Sequence, residues 1–209
     1  MRILGIDEAG RGCVLGPLVV AGYLVEGARE ASLWEAGAAD SKTLSPARRG
    51  EVRLALEALG HAAVRPIDAR AIDDGNLNRL EEDAIVDLVL ETRPDRVVVD
   101  ALGHPASLPA TIVRLRERVE PTVHAEWVVE PKADAHHAPV AAASIFAKTT
   151  RDAALALLRE EWGLLGSGYP GDPVTRSWLT TWARRGEPWP SFVRTRWGTI
   201  ERIAQQELF

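Results

Sequence analysis

Two short apolar runs end in acids. Ile3, Leu4 and Ile6 lead into Asp7-Glu8 with no spacer, and Val97-Val98-Val99 leads into a lone Asp100. Both read as buried strands. The second is the kind that lies centrally and parallel in a sheet, where a carboxylate at the carboxyl end marks the usual place for a ligand. A strand sends neighbouring side chains to opposite faces. Asp7 and Glu8 therefore share a site only if the strand ends or bulges there, and Gly10 and Gly12 leave room for that. The alternatives are a solvated acidic turn after Ile6 and a turn cap at Asp100.

A second strand is expected to begin near Gly16-Pro17, and further strands from Ala62 to Ile67 and Thr122 to Val129. Ser45-Pro46 opens a helix, with Ser as N-cap and Pro in the first turn, and Gly60 ends it. Leu77, Leu80, Ala84, Ile85, Leu88 and Val89 form one helical stripe. The acids Glu81, Glu82 and Asp83 sit in its early turns, where the helix dipole favours them, and read as surface residues. Leu108 to Val119 reads as a helix, and another runs through Ala141-Ala142-Ala143 to about Trp162. In it Ser144, Lys148 and Asp152 share a face. A turn dense in Gly and Pro, residues 166–173, precedes two short helices broken around Glu187-Pro188-Trp189-Pro190.

A chain of 209 residues suits one domain with a small appendage. Its one cysteine, Cys13, excludes a disulfide framework and a cysteine-based zinc site. No stretch approaches ~18 apolar residues, and no signal peptide is evident, so a cytoplasmic protein with no membrane segment is expected. The net charge of −5 argues against a generic nucleic-acid coat. The tail is locally basic, with six arginines against two glutamates from Arg176 to Arg202 and four tryptophans among them. It reads either as a packed helical tail with a solvated basic side or as a nucleic-acid-facing element.

The stretch Asp7-Glu8-Ala9-Gly10-Arg11-Gly12, with Gly16-Pro17 following, resembles the signature of ribonuclease HII, the type 2 ribonuclease H family. Four more matches occur downstream in the family's order. They are Asp40-Ser41-Lys42 with Leu44-Ser45, the strand ending at Asp100, Lys132-Ala133-Asp134 with Ala141-Ala142-Ala143-Ser144-Ile145 and Ala147-Lys148, and the loop Gly166-Ser167-Gly168-Tyr169-Pro170. The loop, and Asn76-Leu77-Asn78, resemble the archaeal and eukaryotic branch. Cys13 replaces the family's usual proline and reads as a small apolar substitute. His137 stands where archaeal members carry Tyr, and the proline falls one place later, at Pro139. Paired histidines tempt a metal assignment, but solvated or hydrogen-bonded histidines are the expectation for His136 and His137.

The resemblance implies an α/β, ribonuclease H-like fold, with a mixed central sheet flanked by helices. Residues 1–173 would form the catalytic domain and residues 174–209 a helical extension packed on it. It implies that Asp7, Glu8, Asp100 and Asp134 are both catalytic and metal-binding. An all-oxygen set suits Mg²⁺ or Mn²⁺, with two ions during catalysis. Asp7 would bridge them, Asp134 would hold the nucleophile-side ion, and Glu8 and Asp100 the other. Gly10, Arg11, Gly12, Ser41, Lys42, Ser144, Lys148 and Tyr169 are the substrate-contact candidates. The implied reaction cuts RNA/DNA hybrids, and duplex DNA 5′ to an embedded ribonucleotide, leaving 3′-hydroxyl and 5′-phosphate ends. Two other classes stay in view: a resolvase- or transposase-like nuclease of the same fold, and a non-catalytic nucleic-acid-binding protein. A monomer is expected. At the chain end, Gln205, Leu208 and Phe209 resemble a sliding-clamp ligand lacking its second aromatic, or else an anchor of the fold itself. A clamp tether would suit ribonucleotides left by DNA replication and removed by excision repair.

Overall fold

The computed structural model describes residues 1–38, 44–101 and 108–206. Ser41 and Lys42, and the chain end beyond Gln206, lie outside the described residues. Five strands form one mixed sheet in the order β3-β2-β1-β4-β5. They are β1 (Arg2–Ala9), β2 (Leu18–Glu26), β3 (His61–Ile67), β4 (Arg96–Asp100) and β5 (Glu126–Glu130). β1, β4 and β5 run parallel, while β2 is antiparallel to both β1 and β3. The helices are α1 (Glu30–Glu35), α2 (Pro46–Glu57), α3 (Ala69–Asp74), α4 (Leu77–Thr92), α5 (Leu108–Val119), α6 (Ala138–Trp162), α7 (Pro173–Ala183) and α8 (Gly198–Gln206). This is the mixed α/β sheet flanked by helices that the resemblance implies. β5 starts four residues late, because Val123 is drawn back onto the end of α5, its N–H donating to the Val119 carbonyl.

The strand parity sorts the core into two layers. Ile3, Val19, Ala21, Tyr23 and Val98 pack under α6 with α1 and α2. Leu4, Ile6, Val20, Val97 and Val99 pack against α4 and α5. Gly5 sets the height of α6 over the sheet. A Cβ there would lie 2.1 Å from the Pro139 carbonyl carbon and 2.3 Å from the Val140 nitrogen, so only glycine lets the helix come this close. The buried alanines of α6 then settle flush on β1.

A third cluster joins the chain's two ends. Val14 and Leu15 pack with Leu155, Leu165, Leu179, Phe192, Val193, Ile200 and Ile203. Leu15 forms an isolated antiparallel bridge with Val193. Trp162, Trp178, Trp182 and Phe192 stack edge and face beside it. The tail's aromatics are thus packing groups. Arg176, Arg184, Arg185, Arg196 and Arg202 form its solvated basic side, whereas Arg194 is wholly buried.

Two surface expectations fail. Glu81 is fully buried and Glu82 nearly so. α4 lies between the sheet and two arginines from elsewhere in the chain, Arg11 and Arg114, which take up these carboxylates. Asp83 alone stays exposed, paired with Arg118.

Candidate active site

β1 neither ends nor bulges at its acids. It stays paired with β2 through Asp7, Glu8 and Ala9, so Asp7 and Glu8 leave opposite faces. Asp7 lies on the α6 side. The parallel register pairs Ile6 with Val99, which sets Asp7 beside Asp100 at the ends of neighbouring strands. Asp134 follows β5 on a 3₁₀ turn, Ala133–Ala135. Lys132, just before it, holds a left-handed backbone at φ 61°. Carboxylate oxygens of Asp7, Asp100 and Asp134 lie within 4.8 Å of one another. Glu8 is outside that group, but it lines the same cleft from the opposite face of the strand.

Hydrogen bonds orient the acids. Asp7 Oδ1 accepts the Glu8 N–H at 2.7 Å, and Ser144 of α6 also hydrogen-bonds to the Asp7 carboxylate. Lys148 Nζ donates to Ser144 Oγ at 3.0 Å, which brings positive charge to Asp7 through a hydroxyl. Asp100 Oδ1 accepts from the backbone of Ala101 and Ala133 at 3.0 and 3.2 Å. Burial outweighs these contacts at Asp7 and pushes its carboxyl up to about 6, with Asp100 adding repulsion. Burial, then Asp7, pushes Glu8 well above the usual carboxylate range.

The cleft encloses about 530 Å³. Gly10, Arg11 and Gly12 form one wall, Tyr169 another, and Lys148, Arg49 and Arg151 add positive charge. Arg11 is held by α4. Its Nε donates to both Glu81 oxygens, and its guanidinium to Asn78 Oδ1 at 2.5 Å. The Asn76-Leu77-Asn78 stretch thereby has a local explanation. Asn76 caps α4 and Asn78 receives Arg11. Tyr169 is 41% exposed, with its ring over the Arg151 guanidinium. Cys13 is more than apolar filler. It is buried, its Sγ accepts from Arg151 at 3.1 Å, and it hydrogen-bonds to Tyr169. His137 hydrogen-bonds to Glu130 at 3.0 Å, His136 is exposed, and neither belongs to the carboxylate cluster.

Three residues around the cleft carry no signal in the sequence. Arg49 of α2 pairs with Asp152 of α6 at 3.1 Å. Arg151 lies one position off the Ser144–Lys148–Asp152 stripe. Arg194 comes from the far end of the chain and donates to the Gly10 and Arg11 carbonyls.

Comparison with known proteins agrees with this geometry. The family model of ribonuclease HII matches residues 4–200. Ribonuclease HII of Aeropyrum pernix is 42% identical over 96% of this chain and 89% of its own length. Ribonuclease HII of Pyrococcus abyssi is 38% identical over 99% of this chain and 92% of its own. Among solved structures, ribonuclease H2 from Pyrococcus horikoshii superposes with a TM-score of 0.88 at 32% identity, covering 99% of this chain and 98% of that one. RNase HII from Archaeoglobus fulgidus, solved in complex with PCNA, gives 0.86 at 35% identity, covering 96% of each chain. This chain belongs to the ribonuclease HII family of metal-dependent ribonuclease H endonucleases.

Proposed function

We propose that the chain hydrolyses the RNA strand of RNA/DNA hybrids and cuts duplex DNA 5′ to embedded ribonucleotides, leaving 3′-hydroxyl and 5′-phosphate ends. The observation that carries this reading is the convergence of Asp7, Asp100 and Asp134 on one another, with Asp7 and Asp100 lining a cleft walled by Gly10–Gly12 and Tyr169.

The acids fit divalent metal. Two carboxylates ~4 Å apart repel by roughly 4 kcal/mol at an effective dielectric near 20. Burying Asp7 and Asp134 makes that repulsion harder to relieve with water. An all-oxygen donor set matches hard cations, so Mg²⁺ or Mn²⁺. Asp7, Asp100 and Asp134, with Glu8 across the strand, would hold two such ions. When bound, the ions would neutralise the phosphodiester and activate the attacking water.

The chain's own residues do the rest. Ser144 and Lys148 fix the Asp7 carboxylate and keep positive charge close to the substrate phosphates. Ser41 and Lys42, which precede α2 in the sequence, are proposed as contacts to the substrate backbone. Arg49 and Arg151 give the cleft a cationic rim. The Gly10–Gly12 backbone reads the ribose 2′-hydroxyl, the group that separates RNA from DNA. Tyr169 offers a face on which a sugar or base stacks. One chain carries all four acids, so the monomer is the proposed catalytic unit.

The deciding assay is cleavage of a DNA duplex carrying one ribonucleotide, with and without Mg²⁺. Cleavage 5′ to the ribonucleotide, only with metal, is expected. Cutting of all-DNA duplex would favour a resolvase-like enzyme. Binding that persists in chelator with no cleavage on metal return would favour a binding protein.

The same reading assigns Gln205, Leu208 and Phe209 to a sliding clamp, supported by their spacing and by the Archaeoglobus fulgidus RNase HII solved with PCNA. Gln205→Ala with Leu208→Ala should abolish capture by a clamp and leave cleavage of a short oligonucleotide unchanged. Lost cleavage or lowered thermal stability would make the segment a structural anchor instead.

A further inference from the structure

The Gly10–Gly12 wall is held from behind by a residue 182 positions away from Gly12. Arg194 is 0% exposed. Its Nη2 donates to the Gly10 carbonyl at 2.7 Å, its Nη1 to the Arg11 carbonyl at 2.9 Å, and its Nε to the Gly16 carbonyl at 3.1 Å. Among the described residues it forms no ion pair with a carboxylate. Its guanidinium lies over the Trp197 ring, 5.1 Å from the centroid. Its backbone is fixed too: the Arg194 N–H donates to the Val14 carbonyl, and the Phe192 carbonyl accepts from Gly16. Burying a cation is costly unless its donors are satisfied. Burial pushes this guanidinium down to about 10, so it is still charged at neutral pH.

Peptide geometry couples these carbonyls to the neighbouring amides. Among the described residues all peptide bonds are trans, and in a trans peptide the C=O and the next N–H point in opposite directions. Turning the Gly10 carbonyl toward Arg194 turns the Arg11 N–H away from it. Turning the Arg11 carbonyl inward does the same for the Gly12 N–H. These are the two central residues of a turn closed by the Cys13 N–H on the Gly10 carbonyl at 3.2 Å. Both residues line the cleft that holds Asp7 and Asp100. Among the described residues, neither N–H has a protein acceptor. Gly10 cannot be replaced without moving this turn, since its φ is +85° and a Cβ would lie 2.7 Å from the Pro17 carbonyl oxygen.

We infer that Arg194 is a positioning residue for ribose recognition: by drawing the Gly10 and Arg11 carbonyls inward it aims the Arg11 and Gly12 amides at the substrate. This rests on the proposed reading of the 2′-hydroxyl by that backbone. It also makes the C-terminal segment part of the specificity apparatus, though it contributes no side chain to the cleft wall.

The test uses Arg194→Gln and Arg194→Lys in the full chain. Gln reaches one carbonyl, and Lys keeps the charge without the planar fork. Two quantities are read. One is the binding preference for a DNA duplex with a single ribonucleotide over the same duplex in all-DNA form, measured in an Asp7→Asn background that blocks turnover. The other is Mn²⁺ affinity by calorimetry without nucleic acid, in the Asp7 background. The expected result is a preference reduced about tenfold or more, the scale of one lost hydrogen bond to a fixed donor, with Mn²⁺ affinity within twofold of the parent. Should Arg194→Gln fail to fold, Arg194→Lys carries the test. A preference kept within twofold would overturn the inference. Equal loss of Mn²⁺ affinity and preference would overturn it too, since that marks general loosening of the fold. If the Asp7→Asn parent shows no ribonucleotide preference, the proposed reading of the loop fails first, and the inference falls with it.

Discussion

Arg11 Nε lies 2.9 Å from Glu81 Oε1 and 3.1 Å from Oε2, joining the loop after β1 to the interior of α4. The guanidinium is a third exposed and the carboxylate fully buried. Burial raises the Glu81 carboxyl, and Arg11 pulls it back. Truncating one partner of such a pair strands the other. Arg11→Ala should therefore cost about 2 kcal/mol of stability by leaving Glu81 unpaired. Arg11→Ala with Glu81→Leu should recover most of that loss. Urea unfolding of the two single variants and the double variant measures the coupling. Additive effects would mean that the pair contributes nothing and that Arg11 is free to meet phosphate.

Asp7 gives a pH-dependent prediction for the metal-free protein. Its carboxyl is raised from 3.8 to about 6 in the fold. The folded chain therefore holds this proton more tightly than the unfolded chain. The resulting stabilisation is fully present below about pH 4 and is lost as pH rises through about 6. In chelator, Asp7→Asn should be more stable than the parent at pH 7.5 by about 2–3 kcal/mol. The gap should close near pH 4. The variant should lose most of its turnover with metal restored. Near-normal turnover would remove Asp7 from the chemistry, and a stability gap independent of pH would show that its charge is not the burden.

How much of the fold is legible in the sequence depends on how far apart the partners lie along the chain. The strands ending at Asp100 and running through Asp7, the stripe of α4 and the alanines of α6 are local patterns, and the sheet is built from them. The register that sets Asp7 beside Asp100 is not local. It pairs Ile6 with Val99, 93 positions on, and the seating of α6 on β1 at Gly5 is a contact between residues more than 130 positions apart. The same distance hides the burial of Glu81, whose partner lies 70 positions earlier. Glu81 does fall four residues from Leu77 and from Ile85, within the apolar stripe of α4, but an acid there reads as a surface residue until its arginine is found. Arg194 looks like its exposed neighbours because charge counting cannot separate a solvated arginine from one that donates to loop carbonyls 183 and 184 positions away. The run of β1 through Glu8 is obscured because the glycines after it suggest an earlier end, whereas the strand continues to Ala9.

Lys132 supplies a test of the turn that carries Asp134. Its side chain is exposed and its φ is 61°. A left-handed backbone costs an ordinary residue about 1 kcal/mol. Lys132→Gly should therefore be neutral or stabilising by up to about 1 kcal/mol, the gain being offset in part by glycine's freer unfolded chain. Lys132→Val should destabilise by more than Lys132→Gly changes anything, and should displace Asp134. Chemical denaturation and Mn²⁺ affinity report the two effects. If Lys132→Gly loses activity with stability and metal affinity intact, the ammonium itself touches substrate.

Tyr169 links the cleft to Cys13 and Arg151. Its ring sits 4.9 Å from the Arg151 guanidinium, and a Cβ on Gly12 would come within 3.9 Å of its Cε1. In the proposed function, a ring this close to the glycine wall would stack on the sugar or base bound there. Tyr169→Phe keeps the ring and drops only the hydroxyl's bond to Cys13, so cleavage should stay within about threefold of the parent, under 1 kcal/mol. Tyr169→Ala removes the stacking face, worth ~1–3 kcal/mol per base. Its loss should fall hardest on a single embedded ribonucleotide, where one register is productive. A long hybrid offers many registers, and there the loss should be smaller. Rates on both substrates, with thermal stability as a control, decide the point. Equal losses on the two substrates, accompanied by a lower melting temperature, would make Tyr169 an anchor of its loop against Arg151 and Cys13 and leave the stacking role to another group.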